Sequence, residues 1–231
     1  MKIIISPSKE KKALPFNFET TKPFLCDKVD FLVQNLKKLD IVQIQSAFKC
    51  SENIAKEVYN YYQEFNKIKH PALFYFNGLQ YKYLDVLSLS EDEIAFLLDN
   101  VLIADSLYGL LRARDEISNY RLDYKTKLSF FNYDYYKEDL DKLIDERVIN
   151  LCSKEFSKNL NQDKLFTINF VQNLKGKVKS YSTNTKIARG KFLRYLSKNK
   201  STSFNVIRNF KEDGYYLVSE SQKDMTFQKD L

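Results

Sequence analysis

The stretch of sequence that decides the fold spans residues 101–124 and reads VLIADSLYGLLRARDEISNYRLDY. Its first four residues form a short apolar run, which is typical of a strand buried inside a sheet. The densest polar cluster of the chain follows directly, at residues 106–115 and 120–124. Open α/β sheets bind their ligands at the carboxyl ends of interior strands. This stretch therefore predicts an α/β fold with a polar site after a central strand.

Two other short apolar runs, at residues 2–5 and 148–151, are also followed by polar residues. The polar residues concerned are Ser6, Ser8 and Lys9 after the first run, and Asn150, Ser153, Lys154 and Glu155 at the end of the second. Ser153 is also a natural N-cap for the helix that we expect there. Because all three polar clusters follow predicted strands, we expect them to converge on one crevice.

Helical and hairpin patterns account for most of the remaining chain. Apolar spacing predicts three helices over about residues 27–66, the second at Ile41–Phe48 and the third capped by Ser51. Further predicted elements are a strand at 72–76, a helix from the Ser90/Glu93 capping box to about Asn100, a helical pattern after residue 104, and hairpins at 165–182 and 214–229. The sequence thus predicts a mixed α/β (α+β) fold, with one domain over residues 1–231. We expect a central mixed sheet, flanking helices and an N-terminal helical subregion.

Composition narrows the class of protein. The 231 residues are 44% hydrophobic and 29% charged, which is typical of a globular chain. No signal segment and no window of about 18 uncharged apolar residues is present, so we expect a cytoplasmic protein without a membrane partner. The chain has one histidine, His70, and three cysteines without metal-site spacing. We therefore expect neither a metal nor another cofactor, and the sequence shows no recognisable catalytic motif.

Positive charge is concentrated in one segment. The formal net charge is +7, and residues 164–211 contain no acid while carrying twelve of the 37 Lys and Arg residues. A field of one sign attracts polyanions, and a phosphate backbone is their most common form. This segment therefore predicts contact with nucleic acid.

The most periodic helix, predicted over residues 185–199, lies inside that segment. Ala188, Phe192, Tyr195 and Leu196 form its apolar stripe, whereas Lys191, Arg194 and Lys198 cluster away from it, with Lys186 beside them. A solvated surface face is one interpretation. The other is anion binding, which the lack of any interleaved Glu favours. Gly190 within the helix indicates a close backbone approach.

The cluster at residues 106–124 also has two interpretations. Its three arginines and two aspartates can pair with one another and serve only the structure. Alternatively, arginine clamps a planar anion bidentately while aspartate orients it. Both interpretations stay open at the level of sequence.

Motifs spread over residues 4–216 resemble the YaaA family of bacterial peroxide-stress proteins. The matching pieces are IISPSK at 4–9, ALFYFNGLQY at 72–81, SLYGLLRARDEISNYRLDY at 106–124, VINLCSKEF at 148–156, ARG at 188–190 and the late Phe210, Gly214 and Tyr215. The chain departs from the family pattern at Asp105-Ser106, Ala113, Asn119, Asp123-Tyr124 and Cys152. The resemblance implies a mixed α/β fold and a cytosolic protein of the hydrogen-peroxide response, which limits damage by free iron and binds DNA. It also implies a helix-hairpin-helix-like element, corresponding to residues 35–64 here.

Two functional hypotheses follow. The first is a protein that binds duplex or branched DNA largely without reading its sequence and protects it from iron and peroxide damage. Its predicted contacts are Lys37, Lys38, Lys49, Lys56, Lys177, Lys179, Lys186, Arg189, Lys191, Arg194 and Lys198. The alternative is an enzyme or binder of an unidentified small molecule, a nucleotide or other phosphorylated ligand. Its predicted pocket comprises Ser6, Ser8, Lys9, Tyr108, Arg112, Asp115, Tyr120, Arg121, Asn150, Ser153, Lys154, Glu155 and Arg189.

Overall fold

The computed structural model describes all residues, 1–231. The strands are β1 Ile3–Ile5, β2 His70–Pro71, β3 Val101–Asp105, β4 Gly109–Arg112, β5 Glu116–Ile117, β6 Val148–Leu151, β7 Leu165–Leu174, β8 Lys177–Lys179, β9 Tyr216–Glu220 and β10 Asp224–Asp230. The helices are α1 Cys26–Leu36, α2 Ile41–Phe48, α3 Glu52–Gln63, α4 Leu79–Leu84, α5 Glu91–Asn100, α6 Lys137–Leu143, α7 Lys154–Ser157, α8 Ser182–Lys198 and α9 Phe204–Arg208.

Eight strands form one mixed sheet in the order β4-β3-β1-β6-β7-β10-β9, with β8 paired to β7. Strands β3, β1, β6, β7 and β10 are mutually parallel, whereas β4, β8 and β9 run antiparallel to their neighbours. Since Ile5 pairs with both Ile103 and Leu151, the loops after β1, β3 and β6 leave the sheet at one edge. The predicted mixed α/β fold with a central mixed sheet is confirmed.

Three of the parallel strands, β1, β3 and β6, are short and almost entirely buried. β1 is a run of three isoleucines that are at most 1% exposed, and β6 is buried at every position. Strands buried on both faces do not alternate apolar and polar residues, so a short continuous apolar run in the sequence predicts them.

Helix α8 packs on the other half of the sheet through aromatic contacts. The rings of Phe170, Phe192 and Phe227 lie within 6.0 Å of one another, centroid to centroid. The same helix packs closely on α4. A Cβ at Gly190 would lie 2.3 Å from the carbonyl oxygen of Gln80. The close backbone approach predicted at Gly190 is therefore confirmed, and α4 is the partner.

The N-cap residues in the sequence predicted the starts of two helices correctly. Helix α2 has the predicted bounds, Ser51 caps α3, and Ser90 with Glu93 forms the capping box of α5. The buried face of α3 consists of Ala55, Val58 and Tyr62.

Two predicted elements are wrong. Residues 72–74 form a 3-10 turn rather than a strand, because the amide of Tyr75 donates back to the carbonyl of Ala72. The chain after β3 forms the antiparallel strand β4 instead of a helix. This hairpin reverses the chain and changes where the polar cluster lies. None of the nine helices has the length and apolar character that crossing a membrane requires.

Candidate functional site

A crevice of about 370 Å³ opens at the carboxyl ends of β1, β3 and β6. Strand β1 lies between the other two, so the chain order reverses direction at this point of the sheet. Ligands of open α/β sheets bind at such a switch point. The side chains that matter most are Ser6, Ser8, Lys9, Lys11, Gln80, Asp105, Tyr120, Arg121, Asp123, Ser153, Glu155, Lys186 and Arg189.

Residues from all three polar clusters line this crevice, as the sequence predicted. Ser6 joins two of them directly, since its hydroxyl accepts the backbone N–H of Ser153 at 2.9 Å. Lys9 reaches the third cluster through an ion pair with Asp123, at 2.7 Å between Nζ and Oδ2. The structure thus brings residues of all three clusters together at one crevice.

Asp105, the last residue of β3, lies at the base of the crevice and is fully buried. Its Oδ1 accepts the backbone N–H groups of Leu107 and Tyr108, each at 2.8 Å, and its Oδ2 accepts the hydroxyl of Tyr120. Burial raises the pKa of Asp105, although these hydrogen bonds act against it. Asp105 is not among the predicted pocket residues, although an acid that ends an apolar strand was an available signal.

Lys11 lies beside Asp105 and is a second residue that the sequence analysis missed. Its Nζ donates to the carbonyl oxygen of Tyr120 at 2.7 Å and lies 4.0 Å from the centre of that ring. Burial lowers the pKa of Lys11 to about 8, even though Asp105 and Asp123 act to raise it. The ammonium group of Lys11 therefore loses its proton at a lower pH than an ordinary lysine does.

Two arginines in the crevice have no acidic partner. The thirteen ion pairs of the protein include neither Arg121 nor Arg189. The buried Nε of Arg189 also lacks any hydrogen-bond acceptor. Nearby, the side chain of Gln80 is buried and its Nε2 lacks an acceptor as well. The crevice thus presents donors and positive charge that the protein itself does not satisfy.

Several residues predicted to line the pocket lie elsewhere. Arg112 and Asp115 lie near the amino end of β3, away from the crevice, because β4 runs antiparallel to β3 and Arg112 pairs with Leu102. They pair with each other, at 2.9 Å between Nε and Oδ1, as the structural interpretation of the cluster held. The other three, Tyr108, Asn150 and Lys154, also stand outside the crevice lining.

Each of those three has an ordinary structural place. Tyr108 is buried, and its hydroxyl accepts the backbone N–H of Ser118 at 2.9 Å. Asn150 is buried between strands and donates to Thr167 Oγ1 at 3.1 Å. Lys154 is exposed on α7. Of the predicted pocket, Ser6, Ser8, Lys9, Tyr120, Arg121, Ser153, Glu155 and Arg189 line the crevice.

Two of the four cations predicted on the basic face of α8 pair with acids from distant segments. Lys191 pairs with Asp213 at 2.9 Å, and Arg194 with Asp85 at 3.8 Å. We call Lys191, Arg194, Lys200 and Arg208 the matched set, since the last two pair with Asp92 and Glu220. Lys198 has no acidic partner, and Lys186 and Arg189 face the crevice. The cations that the sequence predicted on one surface thus fall into three groups: those paired with acids, those lining the crevice, and Lys198, which has no acidic partner.

Other predicted DNA contacts are exposed lysines. Lys177 and Lys179, together with Lys175, lie on the β7–β8 hairpin and form no ion pair. In the helical subregion, Lys37, Lys38 and Lys49 are likewise exposed and unpaired, whereas Lys56 pairs with Glu52 at 2.7 Å. Lys49 has a φ of 48° in the turn between α2 and α3.

Fold and crevice together define the class: a mixed α/β protein with a polar, ligand-sized crevice at the carboxyl edge of its central parallel strands. The family model "Peroxide stress protein YaaA" matches residues 1–221. The chain belongs to this family, and a role in peroxide stress accompanies that membership. The resemblance inferred from the motifs is confirmed.

Individual relatives match over nearly their whole length. A UPF0246 protein of Finegoldia magna is 35% identical over 243 residues, which cover 100% of this chain and 99% of that protein. UPF0246 proteins of Fusobacterium nucleatum and Ligilactobacillus salivarius are 34% and 30% identical, and each match covers 97% or more of both chains. The fold described here thus corresponds to the full length of these relatives.

Proposed function

We propose that this protein acts in the peroxide response by binding a small anionic ligand in the crevice. The observation that carries the proposal is the pair Arg121 and Arg189, which line the crevice without a carboxylate partner. The Nε of Arg189 is buried without an acceptor. Leaving a charged donor group without a partner is costly, and an anion would compensate that cost. A cavity of about 370 Å³ is also within the range of small-molecule sites.

The titratable groups of the crevice support the same proposal. Burial lowers the pKa of Lys11 and raises that of Asp105, which lies near it. Shifted pKa values in a cleft are typical of binding and catalytic sites. The predicted enzyme or binder is therefore best sought here, without Arg112 and Asp115.

The proposal can be tested by thermal unfolding in the presence of nucleotides, phosphorylated sugars and carboxylates. We expect at least one anion to raise the melting temperature of the wild type. Arg121→Ala should abolish that shift and the protection of cells against peroxide. Arg114→Ala is the matched control, because Arg114 pairs with Asp99 on the surface, away from the crevice. An Arg121→Ala protein that keeps ligand binding and peroxide protection would contradict the proposal.

A second proposal is that the chain binds DNA largely without sequence readout and shields it from iron and peroxide damage. The observation that supports it is the group of exposed lysines without acidic partners on the β7–β8 hairpin and around α1–α3. Such side chains are free to displace counterions from a phosphate backbone. Contact with about four to six phosphates gives a log–log salt slope of roughly −4 to −5.

Two triple variants test which surface contacts DNA. Replacing Lys175, Lys177 and Lys179 by Glu should weaken binding to any duplex and reduce the salt slope by about 1 for each lysine. The comparison variant replaces Lys191, Arg194 and Lys198, two of which already have acidic partners. We expect a smaller loss from it. Equal affinity of the wild type and the hairpin variant for duplex and branched DNA would remove the hairpin from this proposal.

A further inference from the structure

We infer that the anion in the crevice is a phosphate monoester, and that its phosphoryl group binds between Gln80 on α4 and Arg189 on α8. This inference rests on the proposed small-molecule function and names the chemistry of its ligand. It also names Gln80, which the sequence analysis did not single out.

The first observation is a pair of donors without acceptors. Gln80 is 6% exposed and its Nε2 has no hydrogen-bond partner. The Nε of Arg189 is buried and also has none. Most buried polar atoms in proteins have a partner, so two orphan donors that belong to residues lining one cavity point to an absent acceptor.

The second observation is that packing holds these donors in place. Helices α4 and α8 approach so closely at Gly190 that a Cβ there would overlap the carbonyl oxygen of Gln80. Gly190 directly follows Arg189, so the same contact fixes the backbone of both donor residues. The wall of the crevice is therefore a formed donor site rather than a collection of mobile surface side chains.

The third observation concerns charge. Lys11, Arg121, Lys186 and Arg189 line the crevice outside any ion pair, and the acids that do so are Asp105 and Glu155. The excess of two positive charges suits a dianion. A phosphate monoester carries close to two negative charges at neutral pH, whereas a diester carries one.

The number of donors favours phosphate over carboxylate. A guanidinium presents a planar fork that matches two phosphate oxygens, and the amide of Gln80 supplies a donor for the third. A carboxylate has only two oxygens and would leave part of this donor set unsatisfied. Because the cavity is only about 370 Å³, a small phosphate ester fits it and a DNA duplex does not.

Calorimetry and thermal unfolding with matched probes test the inference. The probes are AMP against adenosine, glucose 6-phosphate against glucose, dimethyl phosphate as a diester, and succinate as a dicarboxylate. We expect the two monoesters to bind at least tenfold more tightly than the other four. Tight binding of succinate without binding of either monoester would overturn this inference and leave the proposed function intact. No binding of any anion would overturn both.

The decisive variant is Gln80→Met, which removes an unsatisfied donor and keeps the shape of the side chain. We expect the affinity for the bound monoester to fall at least tenfold, while the melting temperature of the free protein stays the same or rises. A purely structural role of Gln80 would instead lower that temperature and leave affinity unchanged. Arg189→Lys is the second variant, and its loss of bidentate donation should also weaken monoester binding at least tenfold. Unchanged affinity in both variants would overturn the subsite.

Discussion

Helix α8 contributes to two regions that treat positive charge in opposite ways. Towards the crevice, Arg189 has no acidic partner and its Nε has no acceptor. Towards the outer surface, Lys191 and Arg194 of the same helix pair with Asp213 and Asp85. The two arginines are five residues apart in sequence, yet only one of them remains available to a ligand. Density of Lys and Arg along a chain therefore does not reveal which cations are free.

The difference has an energetic meaning. Ion pairs on a surface contribute little to stability, typically about 0.2–1 kcal/mol, but they neutralise the local field that would attract a polyanion. An arginine removed from water without a partner costs stability instead. The crevice arginines without a carboxylate partner are therefore consistent with a bound anion as their partner.

The largest effect expected within this comparison is that of Asp105→Ala. The substitution leaves two buried backbone N–H groups and the hydroxyl of Tyr120 without an acceptor. Each buried unsatisfied group costs about 1–3 kcal/mol, so we expect a loss of at least about 3 kcal/mol of unfolding free energy. Urea denaturation measures it. A loss below about 1 kcal/mol would mean that Asp105 does not organise the base of the crevice.

A smaller loss is expected for Gly190→Ala, where the crevice wall meets the outer half of α8. Alanine in the interior of a helix normally stabilises it by about 1 kcal/mol over glycine. Here the new Cβ would overlap Gln80, so we expect a destabilisation of about 1–3 kcal/mol and weaker ligand binding. Gly176→Ala is the control. Gly176 has a φ of 82°, and a Cβ added there would have no other atom within 4 Å, so ligand binding should not change. A stabilised Gly190→Ala protein would contradict the tight helix contact.

Ligand affinity should depend on pH through Lys11. Its pKa is lowered to about 8, so Lys11 is charged below that pH and becomes neutral as the pH rises through it. A phosphate monoester is already a dianion there, because its second pKa is about 6. We therefore expect about three- to tenfold weaker AMP binding at pH 9.5 than at pH 7, measured by calorimetry. Lys11→Met should remove this dependence, and a wild type with equal affinity at both values would exclude Lys11 from the binding charge.

The smallest effects should come from the matched set on the outer surface. Glu220→Ala breaks the pair with Arg208, whose donors lie at 2.6 and 2.8 Å from its carboxylate. Because solvent screens this exposed pair, we expect little change in unfolding free energy, measured by urea denaturation, and no change in binding of a crevice ligand. A greater loss of stability than that of Asp105→Ala would reverse the comparison between the two regions.

Much of the fold was accessible from sequence because its signals are local. The N-cap residues Asp40, Ser51 and Ser90 bond to amides within three positions, so a short window contains the whole interaction. The site was accessible in part. Polar residues after β1, β3 and β6 identified the crevice, since parallel strands end at one edge.

The missed features depend on contacts between distant residues. Gln80 reaches the crevice because α4 packs on α8, about 110 residues further along the chain. Lys11 belongs to a loop with no periodic pattern, and its pKa follows from burial by other segments. Arg112 and Asp115 lie outside the predicted pocket because the chain after β3 turns back as the antiparallel strand β4 and does not begin a helix.

The sequence by itself determined where short buried strands end and which polar residues follow them, because hydrophobic runs and capping bonds involve neighbours along the chain. Only the tertiary structure decided which cations are neutralised. The partners of α8 come from residues 85 and 213, and Coulomb attraction depends on distance in space. The acid-free segment was a property of the chain, whereas the two unpaired arginines of the crevice are a property of the fold.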